Sequence, residues 1–554
     1  MRSNRRIIST LCCLLISILK TSAQMMIDGR PAAFDTITNT MLATIPQNYF
    51  NQNLLLTVQL TNDWTHLTID SQPVVGDYLF NNVSAGQVYR FTARQSDGQE
   101  ISGCITFTYL PLIQLSGTFN TEYSDGTFML CDPESNETPS LSARIKWRGG
   151  TTNGPQRHKH NYKVKFADDY SFLGLRSDNN WILDAGQADL FRLRNRIATE
   201  TWNDFATKPY YADQKPKAMS GVRGRVVEVF LNHEYQGIYA LTECMDRKQM
   251  KLCKADTVNK EIHGLLWKAV EYGYSTMYNN PIQPYDNTSE VWNAFETKYP
   301  DLEDTDTLDW SLLKEAIQLV AKGTNSSFKS LVDDYFDLPV MTDLQLFIEV
   351  MGALDNRGKN TYFAIYDKAQ SRKITFAVWD LDLTMGNRIL EYYSPGYSAS
   401  DYEIGFVNKL TQRLSNINYD DFNTELNNRY AELRTGAFAV DSLYRRYQHY
   451  YHLLHDSGAD RREENRWSGD SDVYGSTIDF ADELEYIRNW IIQRMAYLDN
   501  KYMYDDAIRT PVFTPNHHVY NIQGQRMENA QPKRPGIYIR NGRKYVVGAY
   551  RIRP

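Results

Sequence analysis

Residues 351–386, MGALDNRGKNTYFAIYDKAQSRKITFAVWDLDLTMG, decide how the chain is read. Two runs in it, TYFAIYD (361–367) and ITFAVWD (374–380), are rich in β-branched and aromatic residues and bounded by polar positions, as strands are. The polar stretch between them predicts a turn, and the whole a hairpin. Asn360 then opens one strand while Asp380 and Asp382 follow the other, so acid and amide groups gather at one end. Asp355 stands five residues before Asn360.

That grouping suits a divalent cation. Mg²⁺ takes a few hard oxygens, usually one or two carboxylates with an amide and the phosphates of a substrate, which makes Asn360 and Asp380 a plausible ligand pair. Asp355 is left to orient an incoming hydroxyl. Its interval to Asn360 is the one found in the protein-kinase catalytic loop, where the Asp accepts a hydroxyl proton and the Asn holds a metal; Asp380 then takes the downstream metal position. The plainer alternative is a hairpin whose Asp and Asn residues only shape turns.

A chain of 554 residues exceeds one ordinary core, so two or three domains are expected. With 42% hydrophobic and 23% charged residues it reads as globular, and a net charge of −7 argues against nucleic acid as a partner. Aromatic content of 13%, with 38 Tyr, fits an extracellular or glycan-rich setting. The first 23 residues read as a secretory signal: Arg2, Arg5 and Arg6, an apolar run over 7–19, then Thr21, Ser22 and Ala23 before a cut. No later stretch is long and apolar enough for a transmembrane span. An exported location, periplasmic, cell-surface or secreted, is expected. Loss of the signal removes Cys12 and Cys13 and leaves Cys104, Cys131, Cys244 and Cys253. In an oxidising compartment these allow two disulfides, Cys104 with Cys131 and Cys244 with Cys253 being one of three connectivities.

Short alternating segments over residues 24–110 predict a small β-sandwich. Residues 111–505 follow as a mixed region. RIKWRGGTTNGPQRHKHNYKVKF (144–166) gives a strand, a Gly-rich polar turn and a strand with Lys163 and Lys165. Such a turn can wrap phosphates, with Arg148 and Lys159 supplying positive charge. A helix is expected from Asp189, with Arg192, Arg194 and Arg196 interleaved among apolar residues. VVEVFLNHEYQGIYALTE (226–243) is a hairpin turning at Asn232 and His233. LLWK (265–268) reads as a strand bearing Lys268, TSEVWNAFETKY (288–299) and the segments after it as helices. His449, His452 and His455 lack an H-E-x-x-H arrangement and read as a helix face rather than a metal site. The tail, 506–554, is a separate small β unit.

Taken in order, the blocks 144–166, FLGLRSDNNWILDAGQADLFRLRNRIA (172–198), 226–243, LLWK, ALDNRGKN (353–360) and FAVWDLDLTMG (376–386) resemble the spore coat protein H (CotH) family of atypical protein kinases. The tail resembles C-terminal segments common on exported Bacteroidetes proteins, which implies sorting or anchoring. The resemblance implies an α+β, kinase-like two-lobed domain that uses ATP and Mg²⁺ or Mn²⁺ and phosphorylates a protein acceptor. It implies Asp355 in the catalytic loop, Asn360 and Asp380 on the metal with Asp382 assisting, and Arg148 and Lys159 facing the phosphates, Lys165 being the fallback for the lysine. The chain departs from the family pattern in lacking His-Arg ahead of Asp355 and in carrying Gln156, Arg157 and His158 where a Pro often precedes the Lys. The rival expectation is a catalytically silent surface adhesin or glycan-associated binding protein on the same fold.

Overall fold

The computed structural model describes residues 25–61, 64–135, 137–150, 152–387, 389, 397–505, 519–521, 536–540 and 543–547. Residues 1–24, which contain the expected signal, and most of the tail lie outside the described residues. One compact unit extends to Leu498 and a second starts at Asp499. In the second, the strands Val519–Asn521, Gly536–Arg540 and Arg543–Val547 form an antiparallel sheet.

The chain begins with ten strands, from Met25–Ile27 to Glu100–Thr108, in a four-stranded and a six-stranded sheet. Alternation explains why they stack. Tyr89, Phe91 and Ala93 of the strand Tyr89–Gln95 are buried while Arg90 and Arg94 face out. Phe80, from the smaller sheet, meets Phe107 and Tyr89 of the larger at centroid distances of 5.1 and 5.0 Å.

Seven strands then close into a barrel: Leu112–Ser116, Ser124–Cys131, Ser140–Arg148, Asn161–Tyr170, Asp178–Asp184, Glu234–Thr242 and Gly224–Leu231. Parallel pairing of Leu112–Ser116 with Gly224–Leu231 closes the ring. Ile145, Tyr162, Val164, Trp181, Leu183, Val229 and Leu241 fill it. The expected hairpin at 226–243 is present, and Asn232 and His233 both have positive φ (50° and 66°), as a two-residue turn matched to strand twist requires. Glu228 ties barrel to sandwich. Fully buried, it accepts from Thr108 at 2.8 Å, Tyr235 at 2.7 Å and Arg462 at 2.8 Å.

Two expectations are corrected here. The helix starts at Arg194 and ends at Phe205, because the Asp189 carboxylate accepts from the N–H groups of Phe191 and Arg194 and holds the preceding turn out of helix. Arg192, Arg194 and Arg196 are buried rather than interleaved on a surface. Residues 288–299 form strands, Val291–Trp292 and Phe295–Tyr299, because Asn293 and Ala294 take φ of 44° and 64° and turn the chain back. These join an antiparallel sheet ordered Val291–Trp292, Phe295–Tyr299, Leu265–Ala269, Thr361–Ile365 and Thr375–Val378. All four described cysteines are free thiols, so neither disulfide forms. Among the described residues, no helix is long and apolar enough to cross a membrane.

The helices Ser311–Lys322, Asn325–Tyr335 and Leu338–Met351, with those from Lys409–Asn416 to Phe480–Lys501, make up the remaining body. Leu338–Met351 is the one under the site: most of its side chains are buried and it stops at Gly352 (φ 62°), whose N–H bonds back to Glu349. A Cβ there would lie 2.9 Å from both Trp490 and Tyr402. Gly352→Ala is expected to cost about 2 to 4 kcal/mol, from left-handed strain plus overpacking, read as a lower urea midpoint by tryptophan fluorescence.

Candidate functional site

The two strands after Asp355 pair as their sequence requires, with Thr361 opposite Val378 and Phe363 opposite Phe376. This register brings Asn360 and Asp380 to the same end of the hairpin. Both have φ of 57°, a left-handed conformation that Asn and Asp tolerate better than other side chains, and both therefore leave the strand line. Asp355 sits in the short 3₁₀ turn Leu354–Arg357 that follows the buried helix. One carboxylate oxygen accepts from Asn360 Nδ2 at 2.9 Å; the other accepts from Tyr272 Oη at 2.6 Å and pairs with Lys359 at 3.0 Å. Buried Asn356 fastens this turn to the second strand by donating to the Trp379 carbonyl at 2.7 Å.

The acidic end faces the barrel. Asn195, on the helix Arg194–Phe205, accepts from the Leu381 N–H at 3.0 Å and donates to Asp184 at 2.7 Å, so the segment carrying Asp380 and Asp382 is tied to the end of a barrel strand. A narrow cleft with about 30 Å³ of free space lies between, lined by Arg148, Asn161, Asp184, Asn195, Trp379 and Asp380. The Arg148 guanidinium lies 5.4 Å from the Trp379 ring centroid. Asp380 is open to solvent although protein crowds it on every other side, which is the situation of a group on a cleft floor.

Both signs of charge meet around the cleft. Crowding by protein holds the Asp380 carboxyl above its usual range; Asp184 and Asp355 push the same way against Lys268 and Arg148. Asp382 is held well above that range by burial, then by Asp380, Asp184 and Asp355. Among the cations, burial lowers Lys163 on the barrel and Lys268 on the hairpin sheet; Arg148 and Lys298 lower both further, Lys146 adds to the effect on Lys163, and Asp380 opposes it at Lys268. Carboxylates that resist ionisation together need a cation, and crowded ammonium groups need an anion. The donor set fits a divalent metal carrying a phosphate chain. The acids stand further apart than the tightest donor trio among the described residues, Cys253, His263 and Asp367, whose ligand atoms lie within 4.8 Å.

Of the residues named from sequence, Arg148 and Asp380 line this cleft, Asp355 and Asn360 bond to each other at the same end of the hairpin, and Asp382 follows Asp380 by two residues. Lys159 does not. It is 1% exposed, and its ammonium donates to Glu463 at 2.7 Å and the Ile238 carbonyl at 2.9 Å, so no phosphate reaches it. Lys165 is exposed on the strand Asn161–Tyr170, opposite Arg144 and Asn180, and does not line the cleft. Sequence reading missed Asp184, Asn195 and Lys163. Asp184 had one faint signal, an acid ending the apolar strand WILD. His449 and His452 are exposed on their helix and His455 pairs with Asp460 at 2.6 Å.

Cations and carboxylates from both the barrel and the hairpin sheet therefore meet at one cleft. The chain belongs to the CotH kinase protein family, whose family model matches residues 145–498. A search of curated proteins returns no match. The matched span contains every residue of the cleft named above.

Two substitutions separate scaffold from site. Lys159→Met leaves buried Glu463 with Arg192 (2.6 Å) and the Ile238 N–H (2.7 Å), and is expected to cost about 3 kcal/mol in urea unfolding. Asp382→Asn relieves repulsion: the metal-free protein should gain about 1 kcal/mol or more, while the stabilisation gained from Mg²⁺ with ATP shrinks in a melting assay.

Proposed function

We propose that this protein is an exported atypical protein kinase that transfers the γ-phosphoryl group of ATP to a protein hydroxyl. The observation that carries the reading is the gathering of both signs of charge around one cleft, Arg148 and Asp184 from the barrel with Asp380 from the hairpin, within electrostatic reach of Lys268 and Asp382 and with the Asp355 and Asn360 pair hydrogen-bonded nearby. In this reading the barrel and the hairpin with its helices serve as the two lobes. The N-terminal signal and the sorting-type tail fit a protein that works outside the cytoplasm.

Asp355 accepts the acceptor hydroxyl's proton and fixes its line of attack. Its carboxylate is held from both sides, by Asn360 and by Lys359, so its orientation is set before substrate arrives. Asn360 spends its NH₂ on Asp355, which leaves the amide oxygen for a cation. Asp380, with Asp382 assisting, supplies the carboxylate ligands. Mg²⁺ or Mn²⁺, when bound, neutralises charge on the transferring phosphoryl group. Arg148, Lys163 and Lys268 take the phosphate oxygens. Lys159 has no part in this and serves the scaffold. The silent-adhesin alternative draws no support from a cleft in which repelling charges are gathered without a structural need.

Purified protein given labelled ATP with Mg²⁺ or Mn²⁺ should label itself or a protein acceptor. Asp355→Ala and Asp380→Ala should lower transfer by about 10²-fold or more with the fold retained. Mg²⁺ with ATP at 100 times Kd should stabilise the wild type by roughly 2.7 kcal/mol, seen as a raised melting temperature. Absence of both transfer and stabilisation would overturn the reading.

A further inference from the structure

The candidate base Asp355 already holds a hydroxyl. Tyr272 Oη donates to its carboxylate at 2.6 Å, a distance suited to proton transfer. The contact is built. After the strand Leu265–Ala269 the chain doubles over the catalytic turn, and the Ser275 hydroxyl donates to the Gly358 carbonyl. Gly358 has no side chain where one would strike this segment: a Cβ would lie 2.5 Å from Tyr272 Cδ1 and 2.9 Å from its Cα. Lys359, 3.0 Å from the Asp355 carboxylate, also lies 5.8 Å from the Tyr272 ring centroid. The ring itself is 49% exposed, so it can swing outward without disturbing a core.

We propose that Tyr272 is the protein's own first phosphoacceptor, occupying the acceptor position in the same molecule; the proposal rests on the kinase reading. The phenol Oη attacks the γ-phosphorus of ATP, and its proton passes to Asp355. The new bond is Oη–P; the bond from the γ-phosphorus to the β,γ-bridging oxygen breaks, and ADP leaves with that oxygen. The product is a phosphate ester beside a carboxylate, and like charges repel it from the base. Tyr272 then leaves Asp355, which is open to an external acceptor.

The test is phosphopeptide mapping of the full chain after incubation with Mn²⁺ or Mg²⁺ and ATP, in a dilution series. Phosphate on Tyr272, at a first-order rate independent of protein concentration and absent in Tyr272→Phe, is the expected result. A Tyr-containing random copolymer serves as external acceptor, and its labelling by wild type should rise after a lag that matches Tyr272 modification. Label on the copolymer or on other residues with Tyr272 unmodified would overturn this proposal while leaving the kinase reading standing, as would a Tyr272 rate that scales with concentration. Transfer to no acceptor at all would overturn the kinase reading and this proposal with it.

Discussion

The pairing of Thr361 with Val378 is the constraint on which the site depends. Side chains alternate along a strand, so a slip of one residue would turn Asp380 away from the barrel and separate it from Asn360. The protein guards this register from several directions. Asn356 bonds the second strand's end, Asn195 bonds the residue after Asp380, and the Met385 N–H returns to the carbonyl of Met351 at the end of the supporting helix. Each link is short and buried, and each comes from a different element. Carboxylates that repel one another are kept together because the backbone carrying them has nowhere else to go.

A second layer of the structure is electrostatic and lies away from the cleft. Glu463 receives Lys159 and Arg192 from the barrel side; Arg194 bridges Asp189 and Glu483; Asp343 takes Arg429 and the Thr207 N–H. Buried ion pairs of this kind add little net stability over well-packed apolar residues, but removing one partner is costly. They link segments far apart in sequence, Lys159 and Glu463 being separated by 304 residues. Their contribution is to fix the barrel, the helix Arg194–Phe205 and the C-terminal helices in one arrangement.

Much of this was legible in the sequence, for physical reasons that differ between elements. The hairpin at 361–378 announces itself by β-branched and aromatic residues between polar ends, and the turn at Asn232 and His233 by residue types that accept positive φ. The sandwich follows from strict alternation. Residues 288–299 misled because Ala294 sits in a left-handed conformation that its side chain does not advertise. Lys159 misled for another reason: a lysine in a Gly-rich basic turn looks solvated, and its buried partner arrives from the far end of the chain. Asp184 and Lys163 stayed hidden because their role exists only once the barrel and the hairpin face each other, a relation that no local pattern encodes. Cys104, Cys131, Cys244 and Cys253 were open to pairing on count alone, and geometry left each thiol by itself.

Closure of the barrel has a mechanical consequence. Every one of its strands is bonded on both flanks, so this side of the cleft has no seam along which to breathe. Any widening that admits a large anion has to come from the opposite jaw, where the hairpin sheet ends in short outer strands. The molecule is in that sense an anvil with one moving part, and its specificity for what enters would reside in the part that moves.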